Sequence, residues 1–332
     1  MPKLLIHKRL LNNIANMARQ YLSSNRSYRI SEITSAVLAY DAESAIKQDS
    51  IIRGMMNYIR SRNFNSLYLN ESNDKVLNIP DGFFYSYSFS AINSIISFPN
   101  CSYIGEIAFA ACHGLYSVDF KACQFIDSDA FMWCFDLTSI SFPACKKIMP
   151  GAFTGCSLIY DIDFPECESI GINAFSKCLL LKKIIMPKLK SVVYNIFSER
   201  PFLQTVSLDN CLFLSDYAFT NCERLSTLYI PACKYIGKFA FQSCQGLSHI
   251  ELNSCEFIDN FAFQHCTTLS SIMMLSDKVP YIQGENIFTD TPFDLNYSGS
   301  IIAKMYVKKS LYSQYIRRMS SVMNDETIVV YD

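Results

Sequence analysis

Glycine is scarce in this chain, 11 of 332 residues, about half the ~7% share usual in soluble proteins, which excludes collagen-like and Gly/Ser-linker sequences. Charge is sparse as well: 18% of residues are charged, with a formal net charge of -1. Without a concentrated basic face, nucleic acid is not expected as a partner. No apolar run reaches the ~18–20 residues a membrane helix needs, so no membrane insertion is expected. At the start, Leu4-Leu5-Ile6 is broken at once by His7-Lys8-Arg9 and no small-residue cleavage site follows. This does not read as a signal peptide, so folding in a reducing cytosol is the expectation. There is no G-x-G-x-x-G, no G-K-[ST] loop, no H-E-x-x-H and no EF-hand loop, so no cofactor and no metal are expected. Tryptophan occurs once. Half of the residues are hydrophobic, ample for a sizeable core and too apolar for a disordered tail.

Cysteine, by contrast, occurs 14 times, at 101, 112, 123, 134, 145, 156, 167 and 178, then at 211, 222, 233, 244, 255 and 266. Every step within a group is 11 residues, and the gap between groups is three such steps. Zinc sites want ligand pairs two to four residues apart, so this spacing is not theirs. It is a 22-residue repeat carrying two cysteine columns. Eight rows run from Cys101 to Ser276. Phe109, Phe131, Phe153, Phe175, Phe197, Phe219, Phe241 and Phe263 fill one column. Ala precedes each Phe except in the fifth row, which has Ile196. A leucine column (Leu115 to Leu269) and a Val/Ile column (Val118, Ile140, Ile162 and onward) follow, and another column runs from Ile104 to Ile258. One row cannot bury these side chains alone, so rows must stack. The alternation around Ile140 and Phe142 marks a strand, and Ala-Phe-x-x-Cys reads as a short helical or 3-10 turn. The cysteines are expected to be free thiols filling an inward slot. In the fifth row Leu189 and Arg200 replace the two cysteines, and a local bulge that carries the Arg200 guanidinium to solvent is expected there.

The pattern Ile-Gly-x-x-Ala-Phe-x-x-Cys-x-x-Leu-x-x-Ile-x-Phe-Pro, clearest from Ile170 to Pro187, resembles the BspA-type leucine-rich repeats. The resemblance covers residues 101–276, led in by a degenerate row from Ile79 to Asn100. It implies a leucine-rich repeat solenoid with a parallel β-sheet face. The expected organisation is a small α-helical N-terminal attachment module (1–49), a connecting segment (50–78), the solenoid (79–276) and a C-terminal cap (277–332). The head, with Leu10-Leu11 to Arg19, a polar loop and Ile30 to Val37, resembles the N-terminal segment of tail proteins of phages of gut Firmicutes, which often join such a head to repeats of this type.

Charge divides along the same lines. Residues 1–62 hold ten Lys/Arg against four Asp/Glu, a net of +6, whereas residues 63–276 hold 13 against 19, a net of -6. A basic head and an acidic array suggest different partners for the two parts.

No catalytic constellation is apparent. The histidines share no spacing with a Ser or Cys nucleophile, and Asp161 and Asp163, two apart on one strand, lack a partner acid across a cleft. The residues flanking the Val/Ile column point away from the core. Among them Tyr229, His249 and Glu251 form an aromatic-and-charged cluster of the kind that holds a sugar or peptide, so these three, with Asp161 and Asp163, are the candidate recognition surface. The expected function is a non-enzymatic, virion tail-associated structural protein. Residues 1–75 would contact other virion or tail proteins, and the sheet face would contact a host surface protein or glycan, with a homo-oligomer possible. A bacterial surface adhesin and an intracellular (cytoplasmic) interaction scaffold are the alternatives.

Overall fold

The computed structural model describes residues 78–331 apart from 80, 90–93, 285 and 324. The helices expected in residues 1–49, and the attachment role of residues 1–75, lie outside the described residues. Each 22-residue row turns once around a common core and contributes two parallel strands. The longer strand carries the Val/Ile column, as in Asp161–Asp163, Lys183–Ile185 and Thr205–Ser207. Its neighbours pair in register at a step of 22, Ile162 beside Ile184 and Ile184 beside Val206. The shorter strand has two residues, as in Tyr103–Ile104 and Phe125–Ile126, again paired at a step of 22. Two residues are too few to show alternation in a sequence, so this second ladder was not separable from the turn that follows it.

The third wall is the Ala-Phe-x-x-Cys segment. It is a succession of turns with i→i+3 hydrogen bonds, for example Cys112 N–H to the Phe109 carbonyl at 3.2 Å. Rows are tied together here too, with Phe109 N–H donating to Ala130 and Phe131 N–H to Ala152, both at 2.7 Å. Two residues per row adopt a left-handed backbone, the second before and the second after each Phe, such as Asp129 and Trp133 or Asn173 and Lys177. Glycine fills these positions in one row, Gly151 and Gly155. The hint in the sequence is the column Asp129, Gly151, Asn173 and Asn195, residue types that tolerate this conformation. Bulky Ile107, Phe239 and Phe261 stand at the same position in other rows and hide it.

The core follows the columns. All eight Phe side chains are fully buried and stack along the axis, Phe109 on Phe131 at 4.9 Å and Phe131 on Phe153 at 5.1 Å, with ring planes within 2°. Phe84 of the degenerate row and Phe288 beyond the last row lengthen the stack at its two ends. All 14 cysteines are buried and free. Their thiols donate in two patterns. Cys101, Cys123 and Cys145 donate to the carbonyl two residues on. Cys134, Cys156 and Cys178 donate to a Phe carbonyl of the preceding row, at 3.0–3.3 Å. A buried carbonyl with two lone pairs otherwise has one of them idle, and cysteine is small enough for the slot while still carrying a weak donor. That is the reason for cysteine rather than alanine or valine in these columns.

Arg200 corrects the expectation of an outward bulge. Its guanidinium points inward and is 4% exposed. Nη2 donates to the Phe175 carbonyl at 2.8 Å, taking over the bond a cysteine thiol makes in the other rows, and Nη1 donates to Ser198 at 2.5 Å and Glu199 at 3.2 Å. The expectation considered the charge and not the carbonyl in need of a donor. The cost is visible around it: among the described residues Nε has no partner, and the turn-wall bonds that join neighbouring rows have no counterpart between the fourth and fifth. The short-strand ladder also divides there, between Ser169–Ile170 and Ser191–Val192, whereas the long-strand ladder runs through. Removing a buried, unpaired cation in favour of a well-packed residue is often stabilising. Arg200→Cys is therefore expected to raise stability by about 1–4 kcal/mol and to slow hydrogen exchange at Phe175 and Lys177. A denaturant midpoint at or below that of the parent would contradict it.

Past Ser276 the stack continues. Lys304–Lys308 pairs with Ser271–Met274, and Ile328–Tyr331 pairs with Lys304–Lys308. A helix, Tyr312–Met319, lies between these two strands in sequence and buries Tyr315 and Met319. Arg318 donates to the Pro280 carbonyl at 3.0 Å and Tyr331 to that of Met274 at 3.2 Å, pinning the closing segment to the last rows. Covering the open end of a stack in this way shields its core from water.

Candidate functional site

Tyr229, His249 and Glu251 lie on the solvent side of the long-strand ladder, Tyr229 on Thr227–Tyr229 and the other two on His249–Leu252. Each strand alternates, so the residues flanking the buried Ile250 face outward together. His249 Nε2 is 3.5 Å from Glu251 Oε1, and its Nδ1 is 2.9 Å from Ser271 Oγ in the next row. Tyr229 is half-exposed. The ladder divides between these two strands, and Leu228, beside Tyr229, is only partly buried against the core. The cluster therefore straddles a seam in the sheet, which the column pattern did not reveal.

Asp161 and Asp163 are exposed on either side of buried Ile162, with Lys183 and Ile185 opposite them in the next strand. Three rows, about 14 Å, separate them from Tyr229. The structure does not bring the five candidate residues together into one site. Next to the acidic pair, Lys182 lies over the ring of Tyr160 at 5.1 Å, a contact the sequence reading missed although both residues occupy one column.

Two further aromatic columns were also missed. Phe213, Tyr235, Phe257 and Tyr281 follow one another along the outer side of the short-strand ladder, with Tyr235 and Phe257 4.7 Å apart. Tyr217, Phe239 and Phe261 stack at 5.0 and 4.9 Å on the adjoining turn, where Lys238 sits 5.1 Å from the Phe239 ring. Each ring spends its faces on its neighbours, so these columns first of all bind row to row. Rows of 22 align both, apart from Tyr281, which stands 24 residues after Phe257.

Burial pushes most of the thiols up, to about 11 at Cys101 and Cys211 and to about 12 at Cys123, Cys222 and Cys266; at Cys134 burial also raises the value, but hydrogen bonds with Cys112 and Cys156 outweigh it and hold the thiol below its ordinary range. The raised thiols are not nucleophiles at neutral pH. Among the described residues no group of three or more metal-ligating side chains occurs, and no helix is long and apolar enough to cross a membrane.

The repeat profile described as BspA type Leucine rich repeat region, in six copies, matches residues 77–204 and 193–297. The chain belongs to the BspA-type leucine-rich repeat family. Leucine-rich repeat folds are generally non-catalytic scaffolds for protein interaction, and no enzyme family is indicated for this one. Among solved structures, a leucine-rich repeat protein from Bacteroides ovatus is similar at 19% identity, covering 77% of this chain and 88% of its own, with a TM-score of 0.35. A leucine rich cell surface protein from Faecalibacterium prausnitzii is similar at 19% identity over 68% of this chain and 85% of its own, with a TM-score of 0.32. The pneumococcal vaccine antigen PcpA is similar at 12% identity over 78% of each chain, with a TM-score of 0.33. A search of curated proteins finds no match to this chain.

Proposed function

We propose that this BspA-type array is the recognition part of a non-enzymatic, virion tail-associated protein. In this reading residues 1–75 dock on other tail proteins, and the long-strand face meets a host surface protein or glycan. The observation that carries the interaction role is the face itself: rigid, regularly spaced strands whose outward residues change from row to row while the inward ones do not. A surface already ordered before binding loses little entropy on contact, so modest contacts per row add up, and repeated copies on a particle would raise them by avidity. The head pattern ahead of the array supports the virion reading. Tyr229, His249 and Glu251 are the proposed centre of contact, with Asp161 and Asp163 a separate acidic patch. The second reading, a bacterial surface adhesin, is favoured by membership in the BspA-type family.

Antibodies against the repeats, applied to purified particles and to producing cells, separate the two. Labelling of particle tails is expected. Labelling of the cell envelope with bare particles would overturn the virion reading in favour of the adhesin.

A further inference from the structure

The third row differs from every other in having glycine at both left-handed positions of its turn. The preceding row uses the space. A Cβ on Gly151 would lie 1.9 Å from Asp129 Oδ1, and one on Gly155 would lie 2.6 Å from Cδ1 of Trp133. The Asp129 carboxylate and the indole of Trp133 therefore lie down across the two glycines, and beside them the turn wall sinks into a depression of about 470 Å³.

Its lining is mixed in a particular way. Ser128, Asp129, Asn173 and Ser176 bring hydroxyl, carboxylate and amide groups, and none of these side chains is hydrogen-bonded among the described residues. Pro150 and Ile172 supply apolar surface, Ile172 being 58% exposed. Two exposed aromatic side chains stand outside this lining, one on its first row and one on the row after its last. Trp133 (47% exposed) follows the turn past Asp129, and Tyr194 (60% exposed) is the next residue of the column that contains Pro150 and Ile172. Along the axis they stand three rows apart, about 14 Å, in different columns of the turn, and Tyr194 packs edge-on against Tyr217 at 5.6 Å. No lysine or arginine lines the depression, and Asp129 is its single carboxylate. The first fact disfavours anions, and the second disfavours a metal, which needs several such ligands.

We propose that this depression, on the turn wall and away from the strand face, binds a short neutral oligosaccharide. A sugar ring has apolar C–H faces and a rim of hydroxyls. It matches aromatic platforms together with hydrogen-bonding side chains that accept and donate, and the axial separation of Trp133 and Tyr194 is roughly that of two or three rings. Asp129 and Asn173 take the hydroxyl bonds, Ile172 and Pro150 support a ring face, and Trp133 and Tyr194 hold the ends. The proposal stands apart from the virion reading, because it concerns a different wall and holds whether a particle or a cell carries the array.

The test applies the full chain to an array of neutral, sialylated and sulfated glycans, followed by titration with the neutral trisaccharides chitotriose, maltotriose and mannotriose and with acidic sialyllactose. Because the chain has a single tryptophan, its emission reports on this wall directly. Saturable binding of neutral glycans with a shift in Trp133 emission is expected. Asp129→Asn is tolerated by the left-handed backbone, as Asn173 and Asn195 show in the same column, and Tyr194→Ala removes an exposed ring. Each is expected to weaken binding about tenfold or more, Asp129→Asn with an unchanged melting temperature and Tyr194→Ala with at most the loss of its edge-on contact with Tyr217. Failure of every neutral glycan to bind, equal binding of acidic ones, or binding indifferent to both substitutions would overturn the proposal.

Discussion

Raising the pH from 8 to 10 is expected to unfold the array cooperatively. A buried thiol has no water to solvate a thiolate, and the pKa in the folded chain is raised to about 11 at Cys101 and Cys211 and about 12 at Cys123, Cys167, Cys178, Cys222, Cys255 and Cys266, whereas Cys134, bonded to its neighbours Cys112 and Cys156, is lowered and opposes the trend. In the unfolded chain thiols titrate near the ordinary ~8.5. Where the folded pKa lies above the unfolded one, stability is complete below about pH 8.5 and falls as pH rises toward 11–12, because only the unfolded state releases protons in that window. At pH 10 each of the eight raised thiols favours unfolding by about 1.4–2 kcal/mol, together on the order of 10 kcal/mol, which is comparable with the whole stability of a typical domain. Thiolate absorbance at 240 nm and loss of far-ultraviolet circular dichroism should then appear together near pH 10. A gradual thiolate titration from pH 8 with unchanged dichroism up to pH 11 would mean that the columns are open to solvent.

Phe175→Ala is expected to cost about 3–5 kcal/mol and to split unfolding into two steps. Phe175 is fully buried, parallel to Phe153 at 5.2 Å, and separated from Phe197 by 6.3 Å with a 26° tilt, a wider gap than Phe109, Phe131 and Phe153 leave between their rings. The seam at Arg200 already lacks turn-wall bonds and is crossed by the long-strand ladder. In a stack, each row is stabilised by its neighbours alone, so cooperativity is lost first at the weakest interface. Deleting the ring there leaves the first four rows and the last four to unfold separately. Phe241→Ala, within a stack of 5.7 and 5.5 Å spacing, is expected to lower stability without splitting the transition. Calorimetry distinguishes them, and a single sharp transition for Phe175→Ala would place the weak interface elsewhere.

The columns were legible in the sequence because a fixed period leaves nothing else for a hydrophobic side chain to do: Phe109 and its seven equivalents, both cysteine columns and the Val/Ile strand all sit where a 22-residue count puts them. What the count did not carry is backbone chemistry. The left-handed positions are masked by Ile107 and Phe239, and the short strands offer two residues each. The role of cysteine as a donor to a buried carbonyl is invisible until that carbonyl has a position, which is why Arg200 was assigned to solvent when it replaces a thiol. On the outer faces, Tyr229, His249 and Glu251 could be aligned by column. The seam they straddle, and the depression beside Gly151, depend on how one row settles against the next.

The account turns on thiols that face inward, unbridged, each holding a neighbouring carbonyl. Alkylation followed by mass spectrometry, on freshly purified protein without reductant, tests this most directly. In native buffer at pH 7.5 the account predicts almost no rapid labelling, and in denaturant it predicts labelling of all 14 cysteines. Rapid native labelling of any column, or a denatured count well below 14, would contradict it.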